Sequence, residues 1–307
     1  MKPLSLSVVV PATNEPPTLD QCTAAIRAAA APDDELVVVD GPLPANAARA
    51  RNLGAARARG DVIVFVDSDV ELHRDALDAI RSALTADPDL AAVFGSYDDA
   101  PAAPGVVSAF RNLLHHHVHH SAPGPAMTFW TGLGAVRREA FEAIGGFDEG
   151  VQFMEDIDLG MRLVGVGKRI ELDPRVQGTH LKAWGVRSMV WTDFARRGIP
   201  WVELLLRHRG STSTALNLGW RHRLSALASL GGLGALLLRR PLGLVAALGA
   251  LVALNHRFYR LLVRKRGAAE AAAGVPLHAL HHLAGIAGVP FGVLRHLRGR
   301  RNGSRPG

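Results

Sequence analysis

Residues Ala50–Leu72 read ARNLGAARARGDVIVFVDSDVEL, and three kinds of local chemistry follow one another within them. The alanine- and arginine-rich part belongs to a stretch from Ala45 to Ala58 made of strong helix formers, so a helix is expected there. Asp61–Val66 (DVIVFV) is an unbroken apolar run rich in β-branched residues, the pattern of a buried strand. Asp67-Ser68-Asp69 then ends the strand with two carboxylates. Moving outward, Ser5–Pro11 (SLSVVVP) reads as a first buried strand closed by proline, and Pro16–Ala31 as an alanine-rich helix. Glu35–Val39 reads as a second buried strand, stopped by the turn signal Asp40-Gly41-Pro42, and a further helix is expected at 74–86. Alternation of β and α elements at this spacing predicts an α/β fold with a mostly parallel sheet and helices on both faces. Such sheets bind ligands outside the carboxyl ends of their strands. Three polar clusters fall at such ends: Thr13-Asn14-Glu15, Asp40, and Asp67-Ser68-Asp69.

The chain has 307 residues, room for one large domain with an appendage or two modest ones. Its 48% hydrophobic and 21% charged content excludes a wholly disordered protein. The net charge of +7 is an average over two unlike halves. Residues 1–174 hold 14 Lys/Arg against 25 Asp/Glu, whereas residues 175–307 hold 21 against 3. An acidic front joined to a basic rear is not a nucleic-acid binder of uniform positive charge, and no nucleic-acid partner is expected. The single cysteine, Cys22, excludes an intramolecular disulfide and any multi-cysteine metal centre. The N-terminus leads straight into strand-like sequence without a signal-peptide pattern, so the front is expected in the cytosol.

The rear differs in kind. Leu224–Leu238 and Leu242–Leu254 are apolar runs of 15 and 13 residues separated by Arg239-Arg240-Pro241. As helices they reach roughly 20–22 Å, short of the ~30 Å hydrocarbon core of a bilayer. A third stretch, Val275–Leu294, is apolar apart from His278, His281 and His282. Short spans, a re-entrant hairpin, interfacial helices and a buried helical hairpin all fit these lengths. The arginines flanking the runs suit anionic lipid headgroups on a cytoplasmic face, so the rear is read as a membrane anchor.

Several constellations carry chemistry. Two carboxylates one residue apart at a strand end, as in Asp67-Ser68-Asp69, can converge on a hard cation that shares phosphate oxygens with a substrate. Glu155-Asp156-Ile157-Asp158 opens a helix-like segment; its acids suit the helix dipole, and one of them facing a cleft suits a general base. Phe129-Trp130-Thr131-Gly132-Leu133-Gly134 is either ordinary strand and turn packing or a place where a sugar approaches the backbone. The run His115-His116-His117-Val118-His119-His120 fits a structural or acceptor-side role better than a dedicated metal site, since no ligand spacing is specified.

Taken in order, SVVVPATNE, VVVDG, ARNLGAARARGDVIVFVDSDVEL, GAVRREAFEAIGGFDE and MEDIDLGMRL resemble the family 2 glycosyltransferases, over roughly residues 5–200. These are inverting enzymes of GT-A fold that use nucleotide-diphospho-sugars. The resemblance implies a mostly parallel mixed sheet with flanking helices over residues 1–205, including an interfacial helix region at 184–205. A helical membrane-associated region with a basic tail would occupy 206–307. It also implies that Pro11, Glu15 and Asp40 line the nucleotide pocket, that Asp67 contacts the nucleoside or supports the metal, that Asp69 ligates Mg²⁺ or Mn²⁺, and that Asp156 is the base. His180 is a second metal candidate, with a surface histidine as its alternative. The chain departs from the family pattern at the second strand, where Gly41-Pro42-Leu43-Pro44 follows Asp40. It also lacks the Q-x-x-R-W motif of processive synthases, which favours transfer of a single sugar.

The leading expectation is therefore a membrane-associated glycosyltransferase of the cell membrane with a cytoplasmic catalytic domain. It would move one sugar from a nucleotide-diphospho-sugar to a lipid or polyprenyl-type acceptor, with membrane lipids as further partners. A sugar nucleotidyltransferase is disfavoured because Ala12-Thr13-Asn14-Glu15 is not a glycine-rich phosphate loop. A non-catalytic membrane-bound scaffold that binds sugar nucleotides is the remaining alternative.

Overall fold

The computed structural model describes residues 3–13, 15–40, 46–208 and 219–303, with side chains to residue 298; Asn14 and Gly41–Pro44 of the readings above lie outside this set. The chain divides into two compact units, one of residues 1–102 and 118–182, the other of residues 103–117 and 183–307.

The first unit is built on the expected alternation: β1 (Leu6–Pro11), α1 (Leu19–Ala29), β2 (Glu35–Val39), α2 (Ala47–Arg57), β3 (Val62–Val66), β4 (Val70–Leu72) and α3 (Ala76–Ala86). It continues with β5 (Leu90–Tyr97), the end of α4 (Val106–His120), β6 (Gly124–Ala126), β7 (Leu133–Arg137), α5 (Arg138–Ala143), α6 (Glu155–Gly165) and β8 (Arg169–His180). The sheet order is β2-β1-β3-β7-β5-β8-β4, with β6 paired to β8. β1 lies parallel to both β2 and β3, and β5 is parallel to β8, whereas β7 runs antiparallel between β3 and β5 and both β4 and β6 pair antiparallel with β8. The sheet is therefore mixed, with parallel order concentrated in β1–β3, where helical crossovers join the strands. All five residues of β3 are buried, as are Leu6–Val10 of β1. That explains their continuous apolar sequence, since a strand covered on both faces has no polar side. α2 starts at Asn46, whose side chain accepts from the Arg49 N–H at 3.1 Å, an N-cap. It then lies so close to β1 that a Cβ on Gly54 would sit 2.2 Å from a Val9 methyl.

The second unit is helical. α7 (Val186–Trp191) continues through a π-helical segment, Thr192–Gly198, into α8 (Ile199–Arg207). α9 (Trp220–Leu237) and α10 (Pro241–Leu254) form a hairpin, and α11 (His256–Gly303) follows. The hairpin seam uses small residues, with Gly232 facing Ala247 and Gly243 facing Ala235. Asn255 donates from Nδ2 to the Ser225 hydroxyl at 2.8 Å across it. α10 is apolar at every position, yet Leu251 is its one buried residue; Leu242 is 85% exposed. α11 is broken at Gly267, whose φ of 84° and ψ of 169° are non-helical, and it contains Pro276 and Pro290. The part His256–Arg298 is long and apolar enough to cross a membrane by length and composition.

The histidine run is a set of separate structural contacts. In the first unit His119 Nδ1 lies 2.9 Å from the Gly95 carbonyl, and His120 Nε2 lies 2.8 Å from the Ser96 hydroxyl and 3.0 Å from Gln177. In the second, His117 lies 3.4 Å from Arg221. Among the described residues no group of three His, Cys, Asp or Glu side chains is placed to hold a metal.

Candidate active site

Because β1, β2 and β3 are parallel neighbours, the segments that follow them emerge at one edge of the sheet. Pro11 is the last residue of β1; Glu15, exposed and left-handed at φ 48°, follows shortly after; Asp40 is exposed just beyond β2. Asp67 and Asp69 occupy the tight turn between β3 and β4. Helix α1 holds this turn from behind. Thr18 donates its hydroxyl hydrogen to the Ser68 carbonyl at 2.8 Å, and the Cys22 thiol lies 3.6 Å from the Asp67 carbonyl. Burial, with the charges of Asp67 and Asp69, pushes the Cys22 thiol up to about 12, so it is protonated and unreactive.

His180 ends β8 directly opposite Val70, and the Leu181 N–H donates to the Asp69 carbonyl at 2.8 Å. This register sets His180 Nε2 3.5 Å from Asp69 Oδ2. His180 is 5% exposed, which removes the surface-histidine alternative. Its ring stacks on Tyr97 with centroids 4.1 Å apart and planes 10° apart, and Trp130 meets Tyr97 edge-on at 4.8 Å. Burial opposes ionisation of Asp69, but the hydrogen bond and charge of His180 outweigh it and hold the carboxyl below its usual range. One carboxylate and one imidazole side by side suit a divalent ion such as Mn²⁺ that takes its other ligands from phosphate and water.

The second acidic motif opens α6. Phe153 and Met154 precede it with φ values of 62° and 63°, two consecutive non-glycine residues in the left-handed region. The helix approaches the chain so closely that a Cβ on Gly160 would lie 2.3 Å from the Phe129 nitrogen. The other glycines of that region are similarly spoken for. A Cβ on Gly132 would meet the Trp130 ring at 2.1 Å, and one on Gly134 the Trp130 carbonyl at 2.3 Å. Packing, not sugar approach, accounts for them. Asp158 is buried and bonds Arg162 at 2.7 Å, and Arg162 also donates to the carbonyls of Ile144 and Gly146. Its role is to anchor the helix. Asp156 is partly exposed and accepts from the Ile157 N–H at 2.8 Å. Burial and the neighbouring Glu155 push its carboxyl up to about 7, against the opposing pull of Arg51.

The two motifs meet through Arg51, a residue that the sequence did not single out. Its Nη2 donates to Asp67 Oδ1 at 2.7 Å and its Nη1 to Glu155 Oε1 at 2.5 Å. Asp67 and Glu155 are thus partners of one guanidinium that is itself only 5% exposed.

The arrangement of this first unit defines a class, the GT-A fold of glycosyltransferases. The chain is similar in structure to the mannosyltransferase PcManGT from Pyrobaculum calidifontis, solved with GDP-Man and Mn²⁺. That match has a TM-score of 0.52 at 20% identity and covers 95% of this chain and 86% of that one. GalNAc-T7, solved with UDP, GalNAc and Mn²⁺, matches with a TM-score of 0.50 at 14% identity, over 74% of this chain and 51% of that one. Residues 42–145, about a third of the chain, match the model of Glycosyl transferase family 2. Among curated proteins, a pre-mycofactocin glycosyltransferase of Mycobacterium tuberculosis is 27% identical over 220 residues, 66% of this chain and 44% of that protein. The inactive polypeptide N-acetylgalactosaminyltransferase-like protein 5 of Mus musculus is 30% identical over 148 residues, 41% of this chain and 34% of that protein. The chain spans less than half the length of these two relatives.

Proposed function

We propose that the chain is an inverting glycosyltransferase that moves one sugar from a nucleotide-diphospho-sugar to a hydroxyl of a lipid or other membrane-held acceptor. The observation that carries this reading is the meeting of the two acidic motifs around Arg51, which joins a half-site for a metal to a carboxylate poised near neutrality. Glu15, Asp40, Asp67 and Pro11, at the edge where β1, β2 and β3 end, would line the nucleotide. Asp69 and His180 would hold Mn²⁺ or Mg²⁺, and the ion when bound supplies positive charge to the diphosphate leaving group. Asp156 takes the proton of the acceptor hydroxyl as the acceptor oxygen bonds to the anomeric carbon and the bond from that carbon to the diphosphate breaks. Attack on the face opposite the leaving group inverts the centre. A base poised near pH 7 has a purpose with a hydroxyl acceptor and little with a phosphate, which is already ionised at that pH.

The membrane part of the proposal rests on the second unit. A helix that is apolar all round is normally buried in a core or in lipid, and eight of the fourteen residues of α10 are exposed while only Leu251 is buried. The same unit has an open, largely apolar groove of about 730 Å³ lined by Gly185, Arg187, Ser188, Val190, Trp191 and Phe194, a shape suited to an acyl or isoprenoid chain. The reading places the protein at the cell membrane with its catalytic unit in the cytoplasm.

The test is nucleotide release from a panel of UDP- and GDP-sugars by protein in lipid vesicles, with Mn²⁺ or Mg²⁺, with and without membrane extract. Release that needs both metal and extract supports the proposal. Metal-independent release overturns the roles of Asp69 and His180, and a uniform blank overturns the enzyme.

A further inference from the structure

Among the described residues, Arg51 bonds both acidic motifs. It comes from α2, fixed against β1 by Gly54; Asp67 comes from the end of β3; Glu155 opens α6. The guanidinium gives one nitrogen to each carboxylate, and its Nε is buried without a hydrogen-bond partner. Its position is thereby set by those two carboxylates. Asp156 sits next to Glu155 at the start of α6, with Glu155 beside it on its own helix, Arg51 from α2 and Asp67 from β3 as the charges acting on it.

We propose that Arg51 is a positioning residue for the transfer reaction, tying the donor-side turn to the acceptor-side helix and fixing both the place and the charge state of Asp156. The inference rests on the proposed role of Asp156, but it concerns a different residue and has a separate measurement. A lysine at this position keeps the charge and cannot reach two carboxylates in fork geometry. A methionine removes the charge. Glutamine at 155 removes one negative neighbour of Asp156 and keeps an oxygen that accepts from Arg51. Arg51 works against the upward push on Asp156 and Glu155 works with it, so their removal has opposite consequences.

The experiment uses the full chain and thermal unfolding, which needs no substrate. In each background the Tm is compared with that of the same protein carrying Asp156→Asn, from pH 5 to 9. The Tm difference between the two grows with pH from the unfolded-state titration upward and levels off at the folded-state titration of Asp156, so the pH of that plateau reports it. In the wild-type background it should lie near 7. It should move up by about one pH unit with Arg51→Met, down by a similar step with Glu155→Gln, and stay in place with Arg51→Lys. Arg51→Lys should nonetheless lose at least tenfold in nucleotide release under the assay above, because the grip on one carboxylate is gone. If Arg51→Met does not fold, Glu155→Gln and Arg51→Lys still decide. A plateau pH unmoved in Glu155→Gln, or wild-type turnover in Arg51→Lys, overturns the proposal. A blank for all proteins in the turnover assay overturns the enzymatic reading and leaves the melting result to be judged alone.

Discussion

At the scale of single residues, Asp156 carries a trade between stability and chemistry. Its folded-state pKa of about 7 lies above the 3.8 of an ordinary aspartate. The folded protein therefore binds a proton that the unfolded chain releases between those values, and stability falls as pH rises through that window. The same titration makes the base available. Asp156→Asn should abolish sugar transfer and raise the Tm at pH 8, with the gain shrinking as pH falls below about 7 and gone near pH 4; calorimetry across that range, beside the transfer assay, checks both. Asp69 and His180 make a second residue-scale case. Asp69→Ala should remove metal-dependent nucleotide release and weaken Mn²⁺ binding at least tenfold in titration calorimetry, and His180→Ala should weaken it by less. The paired acids were legible because motif order and strand ends placed them. Arg51 was not. It shares its helix with Arg49 and Arg57, and nothing local distinguishes the arginine that faces inward; tertiary packing alone makes that choice. The burial of His180 was hidden for a related reason, since it depends on β8 meeting β4 in one register.

At the scale of elements, the first three strands and their helices follow directly from apolar runs and turn residues, and β2 is Glu35–Val39 as read. The place of β7 has no such signal. Five residues, Leu133–Arg137, three of them apolar and one glycine among them, become an antiparallel strand between β3 and β5 only because a distant chain segment leaves that gap. Helix α6 likewise owes its position to contact. A valine at Gly160 would drive its Cβ into the backbone of Thr128 and Phe129, and overpacking of this kind costs about 1–3 kcal/mol. Gly160→Val should lower the Tm and reduce turnover by more than the lost folded fraction, because the helix bearing Asp156 is displaced; comparing activity per folded molecule tests this.

At the scale of the molecule, the division of charge and the division into units nearly coincide. The acidic front, residues 1–174, ends shortly before the first unit does at residue 182, and the basic excess belongs largely to the helical unit. Most front acids are ordinary polar surface, but the few at the strand ends are the ones that the proposed chemistry uses. In the helical unit, the apolar runs of α9 and α10 are flanked by arginines at 221, 223, 257 and 260, the arrangement that favours an anionic bilayer surface. Co-sedimentation should show binding to vesicles containing anionic lipid. The paired change Leu242→Asp and Val245→Asp should lose it while leaving the fold intact, since both side chains are largely exposed. Equal binding by the variant would refute the role given to α10.

The buried thiol of Cys22 has a practical corollary. With its proton held and its sulfur out of solvent, Cys22 should react slowly with alkylating reagents. A cysteine introduced at Leu242 or Val245 would be the one reactive sulfur in the protein. A spin label or environment-sensitive dye attached there would report immersion depth without any background to subtract.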